Sequence, residues 1–243
     1  MMNDFAPISE DTRKDDPAID RLIAGLVDGA IGILPLFDCD PALFGALCEE
    51  ACALAQAESG QNVDENHGTY QYVKAQSPEW HIKSGLVRQY SLYNSKDDYL
   101  YVKDDHHWSD AARHFHRDLT AVPRFFERYF GQSDLQNFRM QTIAAGGGLG
   151  QHKELILGIP KREEHYKLRF HLPIVTNDSV FFLMDGARYR MKPGTVYIFN
   201  QGRMHGVENE EGRLRIHLVW DCYLNRHILL NILKPAVDTR DAA

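Results

Sequence analysis

Three residues in the C-terminal half of the chain have the types and spacing of a metal centre. His152 and Glu154 are separated by one residue, and His205 follows much later. On an extended strand, residues two apart leave the same face, so both side chains can converge on one ion. Two imidazoles and one carboxylate, with the second imidazole delivered by a later strand, favour facially bound divalent iron with open positions. We therefore predict that His152, Glu154 and His205 bind Fe(II) and form the catalytic centre.

A basic residue close to the last ligand indicates a second bound molecule. Arg215 lies ten residues after His205. An arginine in this position predicts an anionic co-substrate, and the open iron positions suit bidentate 2-oxoglutarate and then O2. The combination predicts an Fe(II)- and 2-oxoglutarate-dependent oxygenase.

Other histidines compete for the same role, because the chain contains twelve. His114 and His116 fall in a predicted helix, where residues two apart face different directions. His106 and His107 are typical of a solvated helix start. Both pairs fit structural or surface roles better than metal binding. Three further histidines remain possible neighbours of the site: His165, His171 and His217.

The part of the chain that carries the site has the pattern of an antiparallel β domain. Beyond residue 138, short apolar runs alternate with turn signals. Asp185-Gly186 predicts a two-residue hairpin, and Gly194 and Gly212 mark further turns. Strands are predicted at 195–199 and 214–220. This succession predicts a double-stranded β-helix, the jelly-roll or cupin-like core.

The preceding part predicts helical support with some strands. Asp40 and Pro41 supply a helix N-cap and a first-turn proline, and the apolar residues that follow predict a helix to about Ala57. Apolar spacing also favours helices at 19–27 and 108–130, with Pro123 breaking or kinking the latter. Strands are predicted at 30–37, 70–74 and 86–93.

These elements predict one mainly β (α+β) oxygenase domain at 18–243 after a flexible N-terminus at 1–17. Helical support lies mainly in 18–135, and the jelly-roll metal site lies in 136–224. The net charge of −7 argues against a broadly cationic surface for nucleic acid. The four cysteines include no CxxC pair, and no signal core or membrane-spanning run is present. We expect a cytoplasmic protein with a small-molecule substrate and no nucleic-acid or membrane partner. The sequence does not determine the oligomeric state.

The C-terminal motifs also resemble a known family. They are Leu168-Arg-Phe-His-Leu-Pro173, the Gly194 turn, the strand ending at Phe199, His205, and Arg215-Ile-His-Leu-Val-Trp-Asp221. They resemble the aspartyl/asparaginyl β-hydroxylase family and are similar to its bacterial relatives that hydroxylate free proline. The resemblance covers about residues 136–224, and its most specific part is the ten-residue interval from histidine to arginine.

The resemblance implies roles for the metal and co-substrate residues. His152 and His205 look like the two iron-binding imidazoles. Arg215 resembles the residue that pairs with the distal carboxylate of 2-oxoglutarate, a suitable partner for a planar guanidinium. We place His171 and Gln141 with Arg215 among the co-substrate-binding residues.

For the substrate, Arg169 and His171 match the family's Arg-x-His element, which holds the substrate acid or the proximal end of the co-substrate. Arg139 and Arg169 are the candidate partners of a substrate carboxylate. Glu154 departs from the family pattern, because the free-amino-acid hydroxylases usually place aspartate there and the animal aspartyl hydroxylases lack a carboxylate ligand. We predict Glu154 as the third ligand, with a position just outside the coordination sphere as the alternative. A second departure is the longer connection at 155–165, either a lid or a solvated insertion.

The implied reaction is hydroxylation of an unactivated carbon of a free amino acid or amino-acid-like molecule, with release of succinate and CO2. Desaturation or cyclisation can follow from the same chemistry. One alternative is an oxygenase that acts on a protein residue or a carrier-tethered amino acid. Another is a non-catalytic cupin-like module that binds a metal or small ligand.

Overall fold

The computed structural model describes residues 16–57, 61–63, 86–93, 115, 118–131, 133–154 and 166–241. Several predictions lie outside these residues: the strand at 70–74, the loop at 155–165, nearly all of the N-terminus, and the histidines at 106, 107, 114, 116 and 165.

The described strands form two antiparallel sheets. In chain order they are β1 (Ile33–Asp38), β2 (Gln61–Asn62), β3 (Val87–Tyr93), β4 (Asp134–Ile143), β5 (Gly147–His152), β6 (Lys167–Val175), β7 (Val180–Met184), β8 (Ala187–Tyr189), β9 (Thr195–Phe199), β10 (His205–Asn209) and β11 (Arg215–Tyr223). The larger sheet has the order β1-β9-β6-β11-β4-β3-β2, and the smaller has the order β5-β10-β7-β8. From β4 to β11 the chain passes back and forth between them, so the predicted jelly-roll core is confirmed.

Side-chain alternation separates the two faces of the larger sheet. On β11, Ile216, Leu218 and Trp220 belong to the main hydrophobic core, whereas Arg215 and His217 point to the opposite face. The same alternation on β4 and β6 turns Arg139, Gln141 and Arg169 to the inner face, where a second, smaller apolar cluster also lies between the sheets and includes Phe182 and Phe199.

The helices cover the apolar face. They are α1 (Pro17–Val27), α2 (Pro41–Gln56), α3 (Ala121–Phe130), a π-helical segment (Ile228–Leu233) and α4 (Lys234–Asp241). Asp40 caps α2 by accepting a hydrogen bond from the backbone N–H of Leu43, as predicted. Among the described helices, none combines the length and apolarity needed to cross a membrane.

The helix predicted at 108–130 is wrong at Phe115 and at 118–120, the residues described before α3 begins at Ala121. Phe115 forms a β-bridge with Tyr93, and its ring packs against Tyr93, Phe126 and Phe138. Phe115 thus reaches the core from a β-bridge and not from a helix, because its contacts with other elements override the local periodicity of the sequence. Pro123 lies in the first turn of α3, where its missing N–H removes no intrahelical bond.

The predicted turns are confirmed by the backbone. Asp185 and Gly186 have φ of 48° and 82° and join β7 to β8 as a tight hairpin. Gly194 and Gly212 also have positive φ. These turns return the chain to the sheets in the register that builds the site.

Candidate active site

Pairing of β5 with β10 brings the two histidines together. His152 and His205 are cross-strand partners, and their ring centroids lie 4.3 Å apart. The strands approach closely at two glycines: a Cβ on Gly148 would lie 2.4 Å from the carbonyl oxygen of Val207, and one on Gly206 would lie 2.8 Å from that of Leu149. The glycines therefore permit the register that places the two imidazoles side by side.

Glu154 completes the group just beyond the end of β5. Its Oε1 lies 3.6 Å from Nε2 of His152 and 3.9 Å from Nε2 of His205. One ligand atom from each residue lies within 4.8 Å of the others. Metal bonds of about 2.1 Å place neighbouring ligand atoms about 3.0 to 3.4 Å apart. A small shift of these three side chains towards one another would therefore let them bind one ion, with all three ligands on the same side of that ion.

The histidines are oriented with Nε2 towards the shared space. Nδ1 of His152 lies 2.7 Å from the carbonyl oxygen of Gly150, and Nδ1 of His205 lies 2.7 Å from that of Arg203. A carbonyl oxygen accepts only, so each Nδ1 carries the proton and each Nε2 presents its lone pair. This arrangement of a carbonyl behind each imidazole is typical of metal ligands.

The protonation states also suit a metal. Burial, helped by the neighbouring His152, lowers the pKa of His205 to about 3. Burial raises the pKa of Glu154, but the charge of Arg169 and the hydrogen bonds that Arg169 donates outweigh it and hold the pKa well below its usual range. The imidazole of His205 is thus neutral and the carboxylate ionised near pH 7, as metal binding requires. The group is compatible with Fe(II), as predicted.

A cavity opens beside the metal group, between the two sheets. Its polar wall comes from the inner face of the larger sheet, and Phe182 and Phe199 supply an aromatic wall. The predicted residues that line it are Arg139, Gln141, His152, Glu154, Arg169, His171 and His205. The structure therefore gathers the sequence-predicted site residues in and around one cavity.

Arg215 lies behind the cavity wall and is fully buried. Its Nη1 donates a hydrogen bond of 3.0 Å to Oε1 of Gln141, and its guanidinium carbon lies 5.3 Å from the ring centroid of Phe182. Within the described part of the chain, its Nε and Nη2 have no hydrogen-bond partner. Burial lowers the pKa of Arg215 to about 9, so it still carries its charge at pH 7. A buried cation with unused donors is suited to bind an anion.

Two further histidines flank this cation. His171 and His217 are buried, with ring centroids 6.0 Å apart, and among the described residues neither imidazole has a hydrogen-bond partner. Burial and the charge of Arg215 lower the pKa of both imidazoles well below 6.5. From the sequence, His217 is predicted only as a possible neighbour of the site. Its position two residues after Arg215, on the same face of β11, is the signal that could have placed it here.

Asp221 is a site residue that sequence reasoning missed. It accepts hydrogen bonds from Nε and Nη2 of Arg169, at 2.8 and 3.0 Å, while both Nη atoms of Arg169 also donate to the carboxylate of Glu154. Arg139 lies 3.6 Å from Asp221 and donates to Asn137. Burial raises the pKa of Asp221, but Arg169 and Arg139 outweigh it and hold the pKa well below its usual range. Asp221 continues the inward-facing alternation of β11 from Arg215, which could have indicated it.

A family model described as aspartyl/asparaginyl β-hydroxylase matches residues 47–224. The chain belongs to this family. The predicted resemblance is thereby confirmed, and it extends further towards the N-terminus than the motifs indicated. Membership in this family indicates a hydroxylase, and the His-Glu-His group is compatible with that activity. A search of curated protein sequences found no match.

Solved structures with a similar fold include AviO1 from Streptomyces viridochromogenes, with 10% identity and a TM-score of 0.45 over 79% of this chain and 90% of that chain. The Cupin_2 domain of an XRE family transcriptional regulator from Enterobacter cloacae has 13% identity and a TM-score of 0.29, covering 37% of this chain and 82% of that one. A predicted oxalate decarboxylase from Thermotoga maritima has 16% identity and a TM-score of 0.29, covering 40% and 74%. The similarity to these three structures concerns the fold alone.

Proposed function

We propose that the protein is an Fe(II)- and 2-oxoglutarate-dependent dioxygenase that hydroxylates an unactivated carbon of a free amino acid or an amino-acid-like molecule. The observation that carries the proposal is the combination of two features at one cavity. A metal-ligating group of two histidines and a glutamate lies at one side, and the buried, incompletely hydrogen-bonded Arg215 lies behind the wall.

His152, Glu154 and His205 would hold the iron. When bound, the iron supplies activation of O2 coupled to the conversion of 2-oxoglutarate to succinate and CO2. Arg215 would pair with the distal carboxylate of 2-oxoglutarate, since its Nε and Nη2 donors find no partner within the described residues. Gln141 orients this guanidinium through the hydrogen bond to Nη1. Neutral His171 lines the same cavity and would add one N–H donor.

The charges around the cavity favour an anionic substrate. Among the charged residues that line the cavity, two arginines (139 and 169) against one carboxylate (Glu154) leave a net charge of 2 − 1 = +1. Divalent iron and dianionic 2-oxoglutarate together add nothing, so one positive charge remains. An amino-acid carboxylate would neutralise it, and such compensation matters most in a buried space.

Arg139 is the better placed of the two predicted carboxylate partners. Arg169 is engaged by Glu154 and Asp221 at once. Arg139 lines the cavity, and its Nε has no hydrogen-bond partner among the described residues. We therefore assign the substrate carboxylate to Arg139.

We also place the protein in the cytoplasm. All four cysteines fall within the described residues, and none of them forms a disulfide there. Reduced thiols fit a reducing compartment.

The proposal is tested by titrating anaerobic protein with Fe(II) and 2-oxoglutarate and following the visible metal-to-ligand charge-transfer band. We expect the band in the wild type, its loss in His205→Ala, and a large rise in the 2-oxoglutarate concentration required in Arg215→Met. Arg213→Met is the matched control, since Arg213 is exposed two residues away, and it should titrate like the wild type. No band in folded wild-type protein would refute the oxygenase assignment and favour a binding module.

The substrate class is tested next by measuring succinate formed in the presence of individual free amino acids. We expect stimulation by at least one of them, with the Michaelis constant for that amino acid raised in Arg139→Met. A protein that shows the charge-transfer band but forms succinate only with peptides or carrier-bound amino acids would refute the free-amino-acid assignment and leave the oxygenase class intact.

A further inference from the structure

We propose that Asp221 is the positioning residue of the metal centre: acting through Arg169, it holds the side chain of Glu154 in the orientation that binds the metal. This inference rests on the metal site of the proposed function. It gives Arg169 a role different from contact with the substrate carboxylate.

The guanidinium of Arg169 lies between two carboxylates. On one side, its Nε and Nη2 donate to Oδ1 and Oδ2 of Asp221, at 2.8 and 3.0 Å. On the other side, Nη1 donates to Oε1 and Nη2 to Oε2 of Glu154, the latter at 2.9 Å. Both contacts are two-pronged, a geometry that fixes the plane and direction of each carboxylate. The plane of the Asp221 carboxylate therefore sets the plane of the Glu154 carboxylate.

Glu154 needs a partner that orients its side chain, because a fixed backbone position does not by itself fix the position of its carboxylate oxygens. It lies beyond the last residue of β5, with its backbone N–H donating to the carbonyl oxygen of Gln201 at 2.8 Å. A glutamate side chain has three rotatable bonds, and fixing such a side chain in one orientation costs conformational entropy. With its Oε atoms held by Arg169, Oε1 stays 3.6 Å from Nε2 of His152 and 3.9 Å from Nε2 of His205.

Asp221 is well suited to be the fixed end of this arrangement. It lies on β11, between β6 and β4 in the larger sheet, and is only 1% exposed. Nδ2 of Asn137 donates to its Oδ2 at 2.8 Å, and Arg139 lies 3.6 Å from the same oxygen. Its partners thus come from both neighbouring strands, so the register of β11 with β4 and β6 sets its orientation.

The test is a double-mutant cycle on metal affinity, with Mn(II) as the probe and electron paramagnetic resonance or calorimetry as the readout. We expect Asp221→Asn to weaken Mn(II) binding by about 10- to 100-fold, the usual effect of losing a residue that orients a metal ligand. In a Glu154→Gln background, adding Asp221→Asn should change the Mn(II) affinity by no more than about twofold, since the residue through which it acts is already altered. Urea denaturation confirms that each variant is folded.

Glu210→Gln is the matched control, because it also removes a carboxylate from an arginine pair, with Arg188 at 2.6 Å, but on the protein surface. It should leave Mn(II) affinity unchanged. Equal losses from Asp221→Asn in both backgrounds would overturn the inference, since Asp221 would then act by its charge or by general stability. Unchanged or tighter binding in the single variant would also overturn it. Tight Mn(II) binding with no 2-oxoglutarate band would refute the proposed function alone, whereas a wild type that binds no Mn(II) would overturn both.

Discussion

Replacing Arg215 with methionine should make the apo-protein more stable while it removes the proposed co-substrate site. Arg215 is a fully buried cation with one hydrogen bond, to Gln141, and without a carboxylate partner among the described residues. Methionine has a similar length, no charge and the flexibility to fill the space beside Phe182. Exchange of a poorly compensated buried charge for an apolar side chain is often stabilising.

The magnitude follows from the pKa of Arg215, which burial lowers from 12.5 to about 9. The folded state therefore disfavours the charged form, and a shift of this size corresponds to a cost of about 5 kcal/mol at pH 7. Against this, the variant loses the hydrogen bond to Gln141, worth about 1 kcal/mol, and leaves the amide oxygen unsatisfied, at about 1 to 3 kcal/mol. The expected net gain is about 2 kcal/mol, or a rise in Tm of about 4 to 8 °C for a chain of this length.

Urea denaturation and thermal unfolding of metal-free protein measure this gain, and Arg213→Met, on the exposed residue, serves as the control. A second series compares Mn(II) alone with Mn(II) plus 2-oxoglutarate. At 100 times its dissociation constant, 2-oxoglutarate should add about 2.7 kcal/mol to the wild type and nothing to Arg215→Met. A metal-free variant that is less stable than the wild type by more than about 1 kcal/mol, or one that 2-oxoglutarate stabilises equally, would refute this reasoning.

Three further predictions follow from the same structure. Trp220 is fully buried and stacked on Phe138, so Trp220→Ala should lower the free energy of unfolding by about 3 to 5 kcal/mol in urea, and a loss below 1 kcal/mol would contradict this packing. Gly148→Ala should push β5 away from β10, cost about 1 to 3 kcal/mol and weaken Mn(II) binding in a titration, whereas Gly45→Ala, in open space on α2, should do neither. The pKa of His217 is lowered, so this histidine binds a proton below pH 6.5 only in the unfolded chain; it therefore reduces stability as pH falls, by about 1.4 kcal/mol per pH unit. The free energy of unfolding, measured in urea, should therefore fall less between pH 7.5 and 5.5 in His217→Gln than in the wild type. An equal fall in both proteins would contradict this prediction.

Local patterns in the sequence predicted much of the fold correctly. The Asp185-Gly186 hairpin, the helix capped by Asp40 and the strands of the C-terminal half are all confirmed. Each depends on residues close in the chain, through turn geometry, capping or alternation of apolar side chains. The helix predicted through Phe115 is wrong for the converse reason, because that ring is placed by aromatic contacts from other elements.

The sequence by itself determined which residue types could form a metal and anion site and which faces of the strands would carry them. His152, Glu154, His205 and Arg215 could be named from spacing and resemblance alone. Only the tertiary structure decided that Arg169 lies between Glu154 and Asp221, and that His217 lies beside His171. Those contacts join residues on different strands, and their geometry depends on the register between neighbouring strands and on the closure of two sheets around a cavity. Spacing within one strand carries no information about either.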